Sequence, residues 1–212
     1  LRGDLLKNIV VLVSGGGTNL QALIDAQESG AIQNGRITCV ISSKEDAYAL
    51  TRARRHGIKT RVLQRKSYEN TDLYSEAMRR ALDEEQADLV VYAGFMTILG
   101  SAVTTPYENK MINVHPSLIP SFCGKGYYGL HVHSAVLERG VKITGATVHF
   151  VNAVCDGGPI ILQKATEVKS GDTPELLQKR VMEQCEWVIL PKAVSLFCED
   201  KIKVEGNKTI LL

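Results

Sequence analysis

The chain has 212 residues, 44% of them hydrophobic, 23% charged, and a net charge of +2. That length buries a sizeable core in one or two domains. With no basic run of five or more residues and no apolar stretch long enough to span a bilayer, the composition argues against nucleic-acid and membrane-spanning roles.

In chain order, residues 1–7 lack an apolar core and a small-residue cleavage site, so they read as an N-terminal extension or a trimmed start rather than a signal peptide. Ile9-Val10-Val11-Leu12-Val13 is a nearly continuous apolar strand, the pattern of a parallel strand covered on both faces. A helix is expected over 19–29, stopped by Gly30, and a second strand over 37–41. A second helix covers 47–56 and ends at Gly57. Its basic residues Arg52, Arg54, Arg55 and His56 read as a solvated face. A third strand at 60–63, a third helix at 68–85 and strands at 89–93 and 111–114 follow. Residues 116–129, rich in Pro, Gly, Ser and aromatics, read as loop.

Further on, a short helix is expected over 132–140, and two longer strands over 143–151 and 160–168. Thr173-Pro174-Glu175 is a helix start with a Thr cap, Pro at the first position and an acid at the positive end of the dipole. That helix should run towards Phe197 with a kink at Pro191. Residues 201–212 resemble a hairpin around Gly206-Asn207. Alternating strands and helices point to an α/β, doubly wound sheet that binds ligands at the carboxyl ends of its strands. The absence of a linker or repeat favours one domain. The five cysteines are odd in number and form no C-x-x-C pair, which fits a reducing, cytoplasmic setting without a disulfide framework.

Three features carry chemistry. Ser14-Gly15-Gly16-Gly17-Thr18-Asn19-Leu20 joins the first strand to the first helix. Glycines let the backbone approach a ligand, and amides at a helix start attract an anion. Leu20 stands where a dinucleotide fingerprint needs its third glycine, and no Gly-Lys-Ser/Thr follows, so a single phosphate fits better. Asn113-Val114-His115-Pro116 puts an amide and an imidazole on one strand face, suited to oxyanion stabilisation and proton exchange. Cys155-Asp156-Gly157-Gly158-Pro159 is a constrained turn presenting a carboxylate, which beside a histidine would raise its pKa. Each segment alone also suits a plain turn. His131 and His133 lack a third ligand nearby and read as structural.

Together with Ala93-Gly94-Phe95-Met96, Gly145-Ala146-Thr147-Val148-His149-Phe150 and Asp156-Gly157-Gly158-Pro159-Ile160, these segments resemble, in order, the phosphoribosylglycinamide formyltransferase family. The resemblance covers the chain from about Asn8 to Phe197. It implies a Rossmann-like, mostly parallel sheet with an antiparallel portion in the C-terminal half, a phosphate-binding half over 8–115 and a folate-binding, catalytic-loop half over 116–212. It implies 10-formyltetrahydrofolate as formyl donor and glycinamide ribonucleotide as acceptor, with no metal, in a monomer or homodimer. Carried over by motif, the catalytic residues are Asn113, His115 and Asp156. Substrate contacts are Gly17, Thr18, Asn19 and Glu186. Folate contacts are Met96, Thr97, Ile98, Leu99, His149, Val151 and Asn152.

The chain departs from the family at three places. Thr97 replaces a frequent Arg, residues 121–128 are longer than the common Pro-Gly loop, and the stretch between Arg180 and Pro191 is one residue longer. The last change places Met182 or Glu183 where a polar phosphate contact is sometimes found. A formyltetrahydrofolate deformylase-like hydrolase, a methionyl-tRNA formyltransferase and a non-enzymatic nucleotide-binding module are the alternatives. The first two normally carry an extra N-terminal or C-terminal domain, and the third leaves the Asn, His and Asp segments unexplained.

Overall fold

The computed structural model describes residues 6–212. Seven strands form one sheet: β1 (Lys7–Val13), β2 (Gly35–Ser42), β3 (Lys59–Val62), β4 (Leu89–Tyr92), β5 (Met111–His115), β6 (Ile143–Phe150) and β7 (Ile160–Glu167). Their order is β3-β2-β1-β4-β5-β6-β7. Pairing is parallel as far as β5, then antiparallel between β5 and β6 and between β6 and β7. The doubly wound sheet with an antiparallel C-terminal portion is therefore as expected.

The apolar run of β1 is explained by two-sided burial. Ile9, Val11 and Val13 face one core with α1 (Thr18–Glu28) and α7 (Trp187–Cys198). Val10 and Leu12 face a second core with α3 (Thr71–Glu84), through Tyr74, Met78 and Leu82. Strand order reverses at β1, which pairs with β2 on one side and β4 on the other, and this is the crevice where doubly wound sheets bind ligands. The remaining helices are α2 (Tyr48–Arg55), α4 (Ser101–Thr104), α5 (Leu130–Arg139) and α6 (Pro174–Val181). The strands β8 (Ile202–Glu205) and β9 (Lys208–Leu211) form the expected hairpin.

Several expectations need correction. Lys7 belongs to β1: it pairs with Gly35, and its amide donates to the Asn34 carbonyl at 2.8 Å. The rest of the proposed extension, residues 1–5, lies outside the described residues. The helix expected from residue 68 begins at Thr71, because Asn70 caps it by accepting from the Leu73 amide at 2.9 Å. Residues 65–67 ahead of it form a separate 3₁₀ turn. The four-residue α4 was not foreseen.

The C-terminal helix is interrupted at Met182–Glu186, a π-helical segment, rather than at Pro191. Pro191 is the fifth residue of α7, where its missing amide costs one intrahelical bond without ending the helix. Thr173 does cap α6, accepting from the Leu176 amide at 3.3 Å.

Candidate active site

At the carboxyl end of β1, Gly17 closes the turn into α1 with φ of +74°. A Cβ there would lie 2.6 Å from Ala49 Cβ, so glycine is required both by conformation and by the approach of α2. No side chain caps α1, so its first amides are without a side-chain partner, the arrangement that suits an anion. The turn is braced from outside: the Ala49 amide donates to the Gly15 carbonyl at 3.0 Å, and Arg52 Nε donates to the Gly16 carbonyl at 2.9 Å. Arg52, expected to be mere solvated surface, thus holds the loop. Its basic, partly exposed position in the sequence gave no sign of that bond.

Glu186 is brought to the same loop. Its Oε2 accepts from Asn19 Nδ2 at 2.7 Å, both residues being buried. Burial pushes the Glu186 carboxyl up to about 7, with the Asn19 bond opposing. A π turn holds one residue more than an α turn, and Glu186, the last residue of this one, is carried to Asn19. Met182 lies beside the loop, its sulfur accepting from Thr18 Oγ1 at 3.8 Å. The Asn19 Oδ1 atom is buried without a hydrogen-bond partner.

Asn113 and His115 leave the end of β5 towards a carboxylate from a distant loop. Residues 151–159 fold back so that Asp156 Oδ2 lies 3.5 Å from His115 Nδ1 and Oδ1 lies 3.6 Å from His149 Nε2. The turn needs both glycines: a Cβ on Gly158 would meet the Phe150 carbonyl oxygen at 1.9 Å, and one on Gly157 would meet Val154 at 2.6 Å. Asp156 itself adopts φ of +54°, which a short polar residue tolerates. Burial opposes its ionisation, but hydrogen bonding to His149, the His115 charge and the Gly124 amide at 2.8 Å hold the carboxyl down at about 2.

His149 and Asn113 are cross-strand partners, with Asn113 Nδ2 3.2 Å from His149 Nε2. The other ring nitrogen of His149, Nδ1, donates to the Phe150 carbonyl at 2.8 Å, which orients the ring with Nε2 between Asn113 and Asp156. His149, expected at the folate, is thus packed within the polar cluster, while remaining available to a ligand only through its neighbours.

The electrostatics of His115 differ from the expectation. Burial lowers its pKa, outweighing the raising influence of Asp156 and of the Phe122 carbonyl, so the resting ring is neutral near pH 7. His133 is wholly buried in α5 with no partner for either ring nitrogen, and burial followed by the His115 charge pushes it down to about 4. His131 is exposed and packs edge-on against Tyr128. The two histidines sit on different sides of the helix, which agrees with structural roles. Among the described residues, no group of three or more His, Cys, Asp or Glu side chains is placed to hold a metal ion.

The segment after β4 divides. Met96 and Ile98 are exposed, Thr97 is half-buried, and Leu99 turns into the core beside Val103. The Met96 amide is tied to Ser14 Oγ at 3.0 Å, linking this segment to the phosphate loop. In the other loop Val151 packs against the second core, and Asn152 shapes the turn by accepting from the Val154 amide at 2.9 Å. Val154, not anticipated, is an exposed apolar residue two positions before Asp156.

The chain is similar to known proteins over nearly its whole length. The sequence pattern described as "Formyl transferase" matches residues 7–194. The chain is 41% identical to phosphoribosylglycinamide formyltransferase of Escherichia coli (strain K12), over 94% of this chain and 91% of that protein. It is 40% identical to the enzyme of the same name from Haemophilus influenzae, over 97% of this chain and 94% of that one. Among solved structures, glycinamide ribonucleotide transformylase 1 from Symbiobacterium toebii superposes with a TM-score of 0.92 at 41% identity, covering 100% of this chain and 96% of that chain. The protein belongs to the formyltransferase family, in its phosphoribosylglycinamide formyltransferase branch.

Proposed function

We propose that this chain transfers the formyl group of 10-formyltetrahydrofolate to the amine of glycinamide ribonucleotide, the formylation step of purine synthesis. The observation that carries the reading is the meeting of Asp156 with His115 and His149, beside Asn113, on the same sheet edge that presents an uncapped glycine turn. The substrate phosphate docks on the amides of Gly17, Thr18 and Asn19. Glu186 and Asn19 face the sugar-phosphate side, and Met96 to Leu99 with the loop through Val151 and Asn152 take the folate. The sheet runs through both halves of the chain, which supports treating it as one domain.

In the reaction the neutral amine attacks the formyl carbon, and a new carbon–nitrogen bond forms as charge gathers on the formyl oxygen. Asn113 supplies the neutral donor for that oxygen. His115, neutral at rest, accepts a proton as the ammonium centre forms, and Asp156 stabilises the resulting imidazolium. The bond to the folate nitrogen then breaks, and the proton is returned to that nitrogen. His115 is thus charged during the reaction, not before it.

The test is an acceptor screen that follows loss of the formyl donor by absorbance. Consumption that requires glycinamide ribonucleotide is the expected result. Formate release without it would point to a hydrolase, and no consumption with any acceptor to a binding module.

A further inference from the structure

The long loop after β5 carries no acid or histidine, yet two of its backbone groups enter the polar cluster. The Phe122 carbonyl lies 2.8 Å from His115 Nε2, and the Gly124 amide donates to Asp156 Oδ2 at 2.8 Å. The backbone is bent to achieve this. Phe122 adopts φ of +51° and Gly124 φ of +89°, and a left-handed conformation is costly for an aromatic residue. The stem of the loop is fixed separately. Thr147 Oγ1 donates to the Ser117 carbonyl at 2.7 Å and accepts from the Ile119 amide at 3.0 Å, and Ser117 Oγ donates to the Ser121 carbonyl at 2.6 Å. Phe122 is further held edge-on by Tyr127, with ring centroids 6.3 Å apart. A strained turn on a fixed stem is therefore aimed at both members of the His115–Asp156 pair.

We propose that residues 122–124 are a positioning element for the formyl-transfer reaction, which fixes the tautomer of His115 and the orientation of Asp156 through main-chain atoms alone. The inference rests on the catalytic reading of those two side chains. A carbonyl only accepts, so the bond to Phe122 places the proton of the neutral ring on Nε2. Nδ1 is left unprotonated and facing Asp156. It is Nδ1 that takes up the proton during turnover, and the proton then lies between ring and carboxylate. The Gly124 amide meanwhile occupies the same carboxylate oxygen, Oδ2, that Nδ1 faces, so the carboxylate cannot swing towards His149 alone. His149, Cys155 and, through the adjoining peptide, Cys123 are the other titratable groups around Asp156, and none of them contacts either His115 nitrogen.

Two measurements test this. The first needs no substitution in the protein studied. Nitrogen-15 NMR of the histidine rings, with His115 assigned by the loss of its signals in His115→Gln, should show the Nε2–H tautomer at neutral pH. The second compares two glycines of one loop. Gly124→Ala removes the conformation that presents the amide, whereas Gly126→Ala imposes the same kind of strain, at φ of +94°, on a residue that touches neither catalytic group. Gly124→Ala should lower kcat by about 10- to 100-fold with KM for both substrates little changed. Gly126→Ala should stay close to the unsubstituted enzyme. An Nδ1–H tautomer, or equal losses in the two variants, overturns the proposal. If both variants fail to fold, the tautomer decides it. Absence of glycinamide ribonucleotide formylation in the unsubstituted enzyme would instead overturn the functional reading, and the tautomer measurement would still stand apart from it.

Discussion

At the end of β1 the chain presents uncapped main-chain amides, and at the end of β5 it presents polar side chains. The first region is preformed by parallel strands and one conformationally demanding glycine, and it stays open to solvent. The second gathers Asn113, His115, His149 and Asp156 from three segments, buries both histidines and half-buries the other two, and ties them to one another and to the loop backbone. Binding a phosphate requires donors at fixed points and little else. Moving a proton requires groups whose affinities for it have been shifted, and burial beside partners of chosen charge is how these shifts arise. Damage to the second region should therefore appear in kcat and damage to the first in KM.

The largest effect is expected at the carboxylate. Asp156→Asn should reduce turnover at least about 100- to 1,000-fold, with glycinamide ribonucleotide affinity by calorimetry nearly intact. Asn113→Ala removes the oxyanion donor at a cost of about 2.7–4 kcal/mol of barrier, or roughly 100- to 1,000-fold in kcat. A matching rise in KM for the phosphorylated substrate in either variant would erase the division between the regions. Gly17→Ala sits on the other side of the comparison. Its φ of +74° and its clash with Ala49 should raise KM for that substrate about tenfold with a much smaller change in kcat. Steady-state kinetics with each substrate varied in turn would separate these outcomes.

The smallest effect concerns Glu186 and sharpens the comparison, because this is a shifted carboxyl in the binding region. Its folded pKa of about 7 lies above the ordinary value of 4.5, so its stabilising contribution is complete below pH 4.5 and is lost as the pH rises to about 7. Glu186→Gln cannot ionise. Denaturant unfolding at pH 5 and pH 8 should show the variant gaining on the native protein at the higher pH. Parallel pH dependence in the two proteins would mean that Glu186 is already ionised at neutral pH.

The sheet was legible because its signals are local. The run from Ile9 to Val13 announces two-sided burial, and Thr173-Pro174-Glu175 announces a helix start. The glycine turn was legible for the same reason. The polar cluster was only half legible. Asn113 and His115 share a strand, but nothing in the spacing from Asn113 to Asp156 says that they meet, and the pairing came from resemblance to a family. His149 was placed with the folate because its direct partner across the sheet, Asn113, depends on the register between β5 and β6. The contributions of Phe122 and Gly124 were invisible, since they come from peptide atoms that every residue possesses. The direction of the His115 shift was misjudged for a related reason: an acidic neighbour is readable from a motif, whereas the degree of burial is a property of the whole fold.

The π turn at Met182–Glu186 bears on how such a chain changes over time. In a regular helix one extra residue swings everything beyond it by about 100°, which would move Leu190 and Val194 off the buried face. A local widening confines the disturbance to one turn, so that the downstream face keeps its register. A change of length in this segment is accordingly absorbed beside Glu186 without a compensating redesign of the packing behind it.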